Sequence, residues 1–261
     1  MRELAARAYF VLCSVGGRLL RSARYSTARI VDQDGVVRKH RNFYAPLLVS
    51  MGGPLVRLLN TGVRVLPQRD WEERERVIYR SVHGTSIQVD ADGTLVLPRL
   101  GGETLSTLLD NPELEESLRK SAIERAVVAL AEFHRLGFTH GDAMAENVLV
   151  DLEARVAHWF DFETVHDSSR SMIWRRADDV RALLATCLVR TVPDKRAETL
   201  AFILDLYEGL SRRNCDAAKA DVTRALATTN FTSVWRRSLT FHLAQARLSF
   251  ECFREIGRLL R

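Results

Sequence analysis

At Gly101-Gly102 the sequence changes texture. Before that point two Asp-Gly pairs, Asp34-Gly35 and Asp92-Gly93, separate short β-type runs: residues 27–31 from 36–40, and 86–89 from 94–98. Glycine tolerates positive φ and aspartate hydrogen-bonds its own turn, so both read as β-hairpins. Between them Asp70, with Glu73 three residues on, gives a capping-box pattern for a helix reaching about Val82. Beyond Gly102 the periodicity is helical, over 114–136 (closed by Gly137), 178–189, 197–211 and about 233–260. A third hairpin, 148–150 with 156–160, interrupts the helices. Such a chain is of the α+β class. Residues 26–98 form a small β-rich part, 99–261 a larger helical part, and 1–25 a basic amphipathic segment in front.

The chain has 261 residues, 46% apolar and 27% charged, which is enough for a sizeable core and far from disordered composition. A net charge of +5 spread over the molecule would point to nucleic acid. It is not spread. Residues 1–29 carry six arginines (Arg2, Arg7, Arg18, Arg21, Arg24, Arg29) and one acid, Glu3, so residues 30–261 sum to zero. No nucleic-acid partner is expected. Cys13, Cys187, Cys215 and Cys252 lie at least 28 positions apart, without a CxxC pair or Cys/His cluster, which suits buried thiols in a reducing, cytoplasmic setting. The longest uncharged run, 42–56, is 15 residues with Pro46 and Pro54 inside it, too short to span a bilayer. Arginines follow the apolar stretch 8–17 where a signal peptide would have its cleavage site.

The densest chemistry lies in His140-Gly141-Asp142-Ala143-Met144-Ala145-Glu146-Asn147, followed after thirteen residues by Asp161-Phe162-Glu163. The first stretch follows a helix stop and precedes a strand, so it is a loop. The hairpin behind it brings Asp161 back beside Asp142 and Asn147. Two carboxylates and an amide oxygen converging at strand ends make a hard-oxygen site of the kind Mg²⁺ takes, the remaining positions going to water and phosphate. One carboxylate can hold the ion while the other accepts a proton from an attacking hydroxyl. Phosphoryl transfer needs that division of labour.

In order, spacing and intervening hairpin these residues resemble the protein-kinase-like superfamily. His140-Gly141-Asp142 stands for its H-R-D, Asn147 for its metal asparagine and Asp161-Phe162-Glu163 for its D-F-G. The resemblance implies a two-lobed protein-kinase-like fold with a β-rich N-lobe (26–98) and a helical C-lobe (99–261). It also implies ATP and Mg²⁺ as cofactors, Asp142 as catalytic base, and Asn147 and Asp161 as metal ligands. Val36-Val37-Arg38-Lys39 is similar to the strand motif V-A-I-K, whose lysine contacts the α- and β-phosphates. Strand alternation puts Lys39 with Val37 on one face and Arg38 with Val36 on the other, so Lys39 is the candidate and Arg38 the alternative one register away. Its ion-pair partner is expected at Glu75, with Glu72 one turn earlier as the alternative. Residues 95–100, followed by Gly101-Gly102-Glu103, resemble the hinge that pairs with adenine, with Pro98, Arg99 and Leu100 at its middle. Asp179 fits the buried aspartate that anchors the catalytic loop, and Asp178 a helix cap. The resemblance covers about residues 26–185.

The chain departs from the family in two places. No G-x-G-x-x-G loop precedes the first strand, where Ser26 and Thr27 offer the nearest hydroxyls and amides for phosphate. Only 18 positions separate Asp161 from Asp179, and no A-P-E follows Asp161, so the platform that binds an extended peptide is missing. Short segments of this kind are familiar in bacterial lipopolysaccharide-core sugar (Kdo/heptose) kinases and RIO-type atypical kinases, and Glu163 in place of glycine looks like the choline and aminoglycoside kinases. The leading expectation is therefore a phosphotransferase acting on a hydroxyl of a non-peptide acceptor, a lipid-linked sugar such as lipopolysaccharide core. Arg170, Arg175 and Arg176 stand ready to grip its anionic groups. Residues 1–24, with arginines around an aliphatic side, suit peripheral contact with the inner face of a membrane. A soluble small-molecule kinase or atypical serine/threonine protein kinase is the first alternative, and a pseudokinase scaffold the second. Glu163 is a further metal contact or a helix cap, and His140 a structural residue beneath the loop.

Overall fold

Turn chemistry sets the first sheet. Gly35 and Gly93 take φ of +76° and +80°, the left-handed conformation in which a side chain is strained. They close the hairpins β1 (Ala28–Gln33)/β2 (Val36–Arg41) and β4 (Gln88–Val89)/β5 (Leu95–Pro98). The computed structural model describes residues 28–33, 35–41 and 62–214. The expected leader 1–25, Ser26 and Thr27, the apolar run 42–56 and the last helix, 233–260, lie outside the described residues. The four strands form an antiparallel sheet in the order β1-β2-β5-β4, with Lys39 opposite Ile30 on one side and Leu95 on the other.

Between the hairpins come β3 (Val63–Val65) and α1 (Gln68–Val82). The helix starts earlier than the capping-box pattern suggested. Pro67 is its N-cap residue, with no side-chain cap, and Asp70 lies in the first turn. Gln68 replaces the expected cap by donating to Glu72 Oε1 (2.6 Å) and to the Gly93 carbonyl (3.2 Å). Trp71, Glu75, Ile78 and Tyr79 are its buried residues, a stripe at helical spacing.

The chain continues through β6 (Glu103–Thr104), α2 (Leu105–Asp110) and α3 (Glu116–Arg135), the last ended by Gly137 at φ +88°. A 3₁₀ turn (Ala145–Asn147) leads into the hairpin β7 (Val148–Asp151)/β8 (Val156–Trp159), which with β6 makes a sheet in the order β6-β7-β8. Then come β9 (Thr164–His166), α4 (Met172–Leu188) and α5 (Arg196–Asn214). Helix α4 starts six residues before the expected position because Ser171 caps it, its hydroxyl accepting from Trp174 N at 3.2 Å. Asp178 is therefore no cap; both aspartates are buried in mid-helix. β9 pairs antiparallel with β3, Val63 opposite His166 and Val65 opposite Thr164. That contact joins segments a hundred residues apart.

The result is a mixed α+β architecture. Trp71, Ile78, Leu95, Phe133, Trp159 and Phe162 are among its fully buried side chains. Burying each contributes roughly 1.5–3 kcal/mol. Phe162 stacks on Phe133 of α3 at 5.5 Å and meets Tyr79 of α1 edge-on at 6.4 Å, so the residue next to Asp161 is anchored from both sides. Cys187 is free and buried, and burial pushes its thiol up to about 12, leaving it inert. Among the described residues, no helix is long and apolar enough to cross a membrane.

Candidate functional site

Strand alternation along β2 turns Lys39 inward and leaves Arg38 out. The Arg38 guanidinium reaches the exposed Asp90 at 3.0 Å, whereas Lys39 is 5% exposed. Helical spacing makes the same choice on α1. Glu75 lies four residues after the buried Trp71 and is itself 1% exposed, while Glu72 is bonded to Gln68 near the surface. Lys39 Nζ lies 3.4 Å from Glu75 Oε1 and also pairs with Asp161 Oδ1, which lies just beyond β8. Glu75 Oε1 accepts two further bonds, from Trp71 Nε1 at 3.1 Å and from the Phe162 backbone N–H at 3.2 Å. Sheet, helix and the segment at 161–163 thus meet on one ammonium and one carboxylate.

Burial would lower the Lys39 ammonium, but the carboxylates of Asp161, Glu75 and Glu163 outweigh it and hold it above its usual value. Burial pushes the Glu75 carboxyl up, opposed by Lys39 and by the N–H groups of Trp71 and Phe162.

Asp142 and Asn147 converge through the loop itself. The Asn147 amide donates to Asp142 Oδ2 at 2.9 Å and to the Asp142 carbonyl at 2.7 Å, and both residues are buried. Asn147 is also the start of the path to Asp161, since its carbonyl accepts from Phe160 N at 3.0 Å. The His140 ring reaches the Phe160 carbonyl from the other side, also at 3.0 Å. Two bonds therefore fix the residue before Asp161 to the loop that carries Asp142. Burial pushes the His140 imidazole down to about 4, so it is neutral and structural, as the sequence suggested.

A buried polar network supports the loop from below. Asp179 accepts from His140 N at 2.7 Å and Gly141 N at 2.9 Å, and its Oδ2 lies 3.0 Å from His134 Nε2. Burial works against that carboxylate, but His166, His134 and His140 around it bring it down to about 2. Asp178 pairs with Arg181 (2.7 Å) and His166 (3.3 Å), and His166 reaches Thr139 Oγ1 at 3.0 Å. Gly141 takes φ +82°, where an added Cβ would lie 3.2 Å from the backbone of Val165.

The remaining candidates are placed as follows. Pro98 ends β5 and has no N–H, and Arg99 N–H donates to the Gly35 carbonyl at 3.1 Å. Leu100 packs on the core. Glu163 caps no helix; its carboxylate lies 3.7 Å from Arg41 Nη2. Arg175 and Arg176 hold backbone carbonyls, Arg170 O and Ser168 O for the first and His134 O for the second, each at 2.8 Å. In these contacts the two side chains tie the segment after β9 and the end of α3 to α4. Arg170 stacks on Trp174 at 5.1 Å.

Sequence reasoning missed Trp71, Arg41, Arg74 and His134 as site residues. Trp71 sits four before Glu75, and Arg41 two after Lys39, spacings that would have found both. Arg74 donates to the Thr139 carbonyl at 2.5 Å, a contact with no local signal.

Among the described residues no three His, Cys, Asp or Glu side chains are grouped to hold a metal ion. An ion here would take an amide oxygen together with a carboxylate. Asn147 fits that requirement, because both bonds to Asp142 use its NH₂ and so orient its carbonyl oxygen away from them. Asn147 and Asp161 are the two residues here whose oxygens could hold such an ion. No protein-family model matches this chain, and no curated protein matches it.

Proposed function

We propose that this protein is an ATP- and Mg²⁺-dependent phosphotransferase of the protein-kinase-like type, acting on a hydroxyl of a non-peptide acceptor. The observation that carries this reading is Lys39, which pairs at once with Glu75 on α1 and with Asp161 beyond β8. A buried cluster of one cation and two carboxylates adds little net stability, so its place here is better accounted for by a task, and phosphate binding is such a task. The order of elements agrees: a lysine strand inside an antiparallel sheet, a glutamate helix, then a polar loop, a hairpin and an aspartate. The two-lobed arrangement, 26–98 over 99–261, belongs to the same proposal.

In this mechanism Lys39, held by Glu75, neutralises the α- and β-phosphates of ATP. Asp142, oriented by the Asn147 amide, accepts the proton of the acceptor hydroxyl as that oxygen bonds to the γ-phosphorus of ATP and the bond from this phosphorus to the bridging β-phosphate oxygen breaks, ADP leaving. Asn147 and Asp161 would hold Mg²⁺, whose charge balances that on the phosphate oxygens. At the hinge, Pro98 has no N–H and the N–H of Arg99 is engaged with Gly35, so a backbone donor to adenine falls beyond Arg99. The segment after Asp161 supports a non-peptide acceptor. Its strand β9 is committed to β3, and only five residues separate it from α4.

Transfer of labelled phosphate from ATP to a fractionated lipid and glycan extract tests the reading. The parent labels at least one fraction, and Asp142→Asn lowers the rate by roughly 10²–10⁴ with little change in melting temperature. Labelling by Asp142→Asn at the parental rate would remove the assigned base, and no labelling of any fraction or peptide would favour a binding scaffold.

A further inference from the structure

Lys39 and Arg41 are two positions apart on β2, on one face, and both are buried. Asp161 and Glu163 are two positions apart on the facing segment. Lys39 pairs with Asp161, and the Arg41 guanidinium lies 3.7 Å from the Glu163 carboxylate. The two ion pairs are neighbouring rungs between the same two stretches of chain. Trp71 lies against both cations, its ring centre 5.1 Å from Lys39 Nζ and 4.5 Å from the Arg41 guanidinium. The second rung is closed into a ring through a third stretch. Arg41 Nη1 donates to the Leu66 carbonyl at 2.7 Å, and Leu66 N–H donates to the Glu163 carbonyl at 2.8 Å. Arg41 is thus the point where β2, the end of β3 and the Asp161 segment are tied together.

We propose that Arg41 and Glu163 are positioning residues whose ion pair sets how far Asp161 reaches into the site, and that Glu163 is not a ligand of the ion. For Glu163 to turn to a metal it would have to draw away from Arg41, leaving that buried guanidinium without the carboxylate nearest to it, an unfavourable state for a buried charge. The geometry gives Glu163 another task. It stands two residues beyond Asp161, in place of the glycine of the kinase pattern, and holds that segment against the sheet by its side chain. The effect on Mg²⁺ rests on the phosphotransferase reading; the effect on the segment rests on the structure alone.

The test uses the full chain as Arg41→Met, Glu163→Gln and the double variant, with two readouts. Amide hydrogen exchange at residues 161–164 is measured without nucleotide. The half-saturating Mg²⁺ concentration is measured in ATP turnover, a quantity that a smaller folded fraction does not move. Each single variant is expected to speed exchange at 161–164 and to raise half-saturating Mg²⁺ by roughly tenfold, about 1.4 kcal/mol. The double variant is expected to be no worse than the worse single, because the two residues act as one unit, and to melt closest to the parent because it strands no charge. A shift in Mg²⁺ dependence with Glu163→Gln but not with Arg41→Met places Glu163 on the ion and overturns the proposal. Parental exchange in all three variants overturns it as well. If the parent itself shows no Mg²⁺-dependent turnover, the phosphotransferase reading fails, and the exchange data still decide whether the rung holds the segment.

Discussion

Asp161 has the most demanding backbone of the site, a φ of +67° that few residues other than glycine, asparagine and aspartate accept. It keeps that conformation because Phe162, fully buried, is clamped between Phe133 and Tyr79, Lys39 pairs with the Asp161 carboxylate itself, and Glu75 and the loop at 140–147 hold the residues on either side. His140 belongs to the same clamp, and its burial makes a pH prediction. Its folded-state value of about 4 lies below the usual 6.5, so the unfolded chain takes up the proton first as pH falls. Stabilisation from a neutral His140 is complete above about pH 6.5 and is lost as pH falls toward 4. At pH 5 the loss is on the order of 2 kcal/mol. His140→Gln, which keeps a polar group facing the Phe160 carbonyl, should therefore lie closer to the parent in denaturant stability at pH 5 than at pH 7.5. A gap that does not change with pH contradicts the assignment. Single residues were the most legible scale in the sequence. Alternation separated Lys39 from Arg38, and the order of polar residues marked Asp142, Asn147 and Asp161. The partner of Glu163 was not legible, since Arg41 lies 122 positions away on β2 and nothing local names it.

The elements that came through correctly were those with strong local chemistry: three hairpins with their turns, and α3 with its glycine stop. Those that shifted were governed by tertiary contacts. Helix α1 begins at Gln68 because a side chain reaches across to Gly93, and α4 begins at Met172 because Ser171 can cap it. The β3–β9 pair is three residues long on each side, and strands so short and so far apart leave no periodicity to read. Its backbone contacts with the site are nevertheless what fix Glu163. Close approach of elements also gives a stability prediction. Gly102 takes φ +95°, and a Cβ there would run into the Val150 carbonyl, where β6 meets β7. Gly137 is equally left-handed at φ +88° but faces open space. Gly102→Ala is expected to cost on the order of 2 kcal/mol or more, lowering the melting temperature by about 5 °C, and Gly137→Ala distinctly less. Equal losses would show that backbone strain alone, and not the approach of the two strands, is at stake.

At the scale of the whole molecule, the sheet, α1 and the loops before and after the β7–β8 hairpin meet on a layer of charge. Lys39 and Arg41 face Glu75, Asp161 and Glu163, so with all five ionised the layer carries one negative charge in excess. Beneath it, Asp179 and its histidines fix the loop that presents Asp142 and Asn147. A protein that needed only a stable core would gain little from this arrangement, because buried ion pairs are weak stabilisers. A site that takes a divalent ion and a polyphosphate gains directly, since the excess carboxylate suits the metal and Lys39 suits the phosphates. The α+β class was open to sequence reasoning because turn chemistry and helical period are local. The layer of charge was open only in part, because it is assembled from segments that the chain brings together over more than a hundred residues. The most direct measurement is the thermal shift of the parent and of Asp161→Asn with Mg²⁺ and ATP. Asparagine tolerates the left-handed backbone, so the variant keeps the fold and loses the carboxylate. At a ligand concentration about a hundred times the dissociation constant the parent should gain about 2.7 kcal/mol and melt some 5 °C or more higher, and the variant should scarcely move. Equal shifts in the two proteins, or no shift in the parent, would contradict the account.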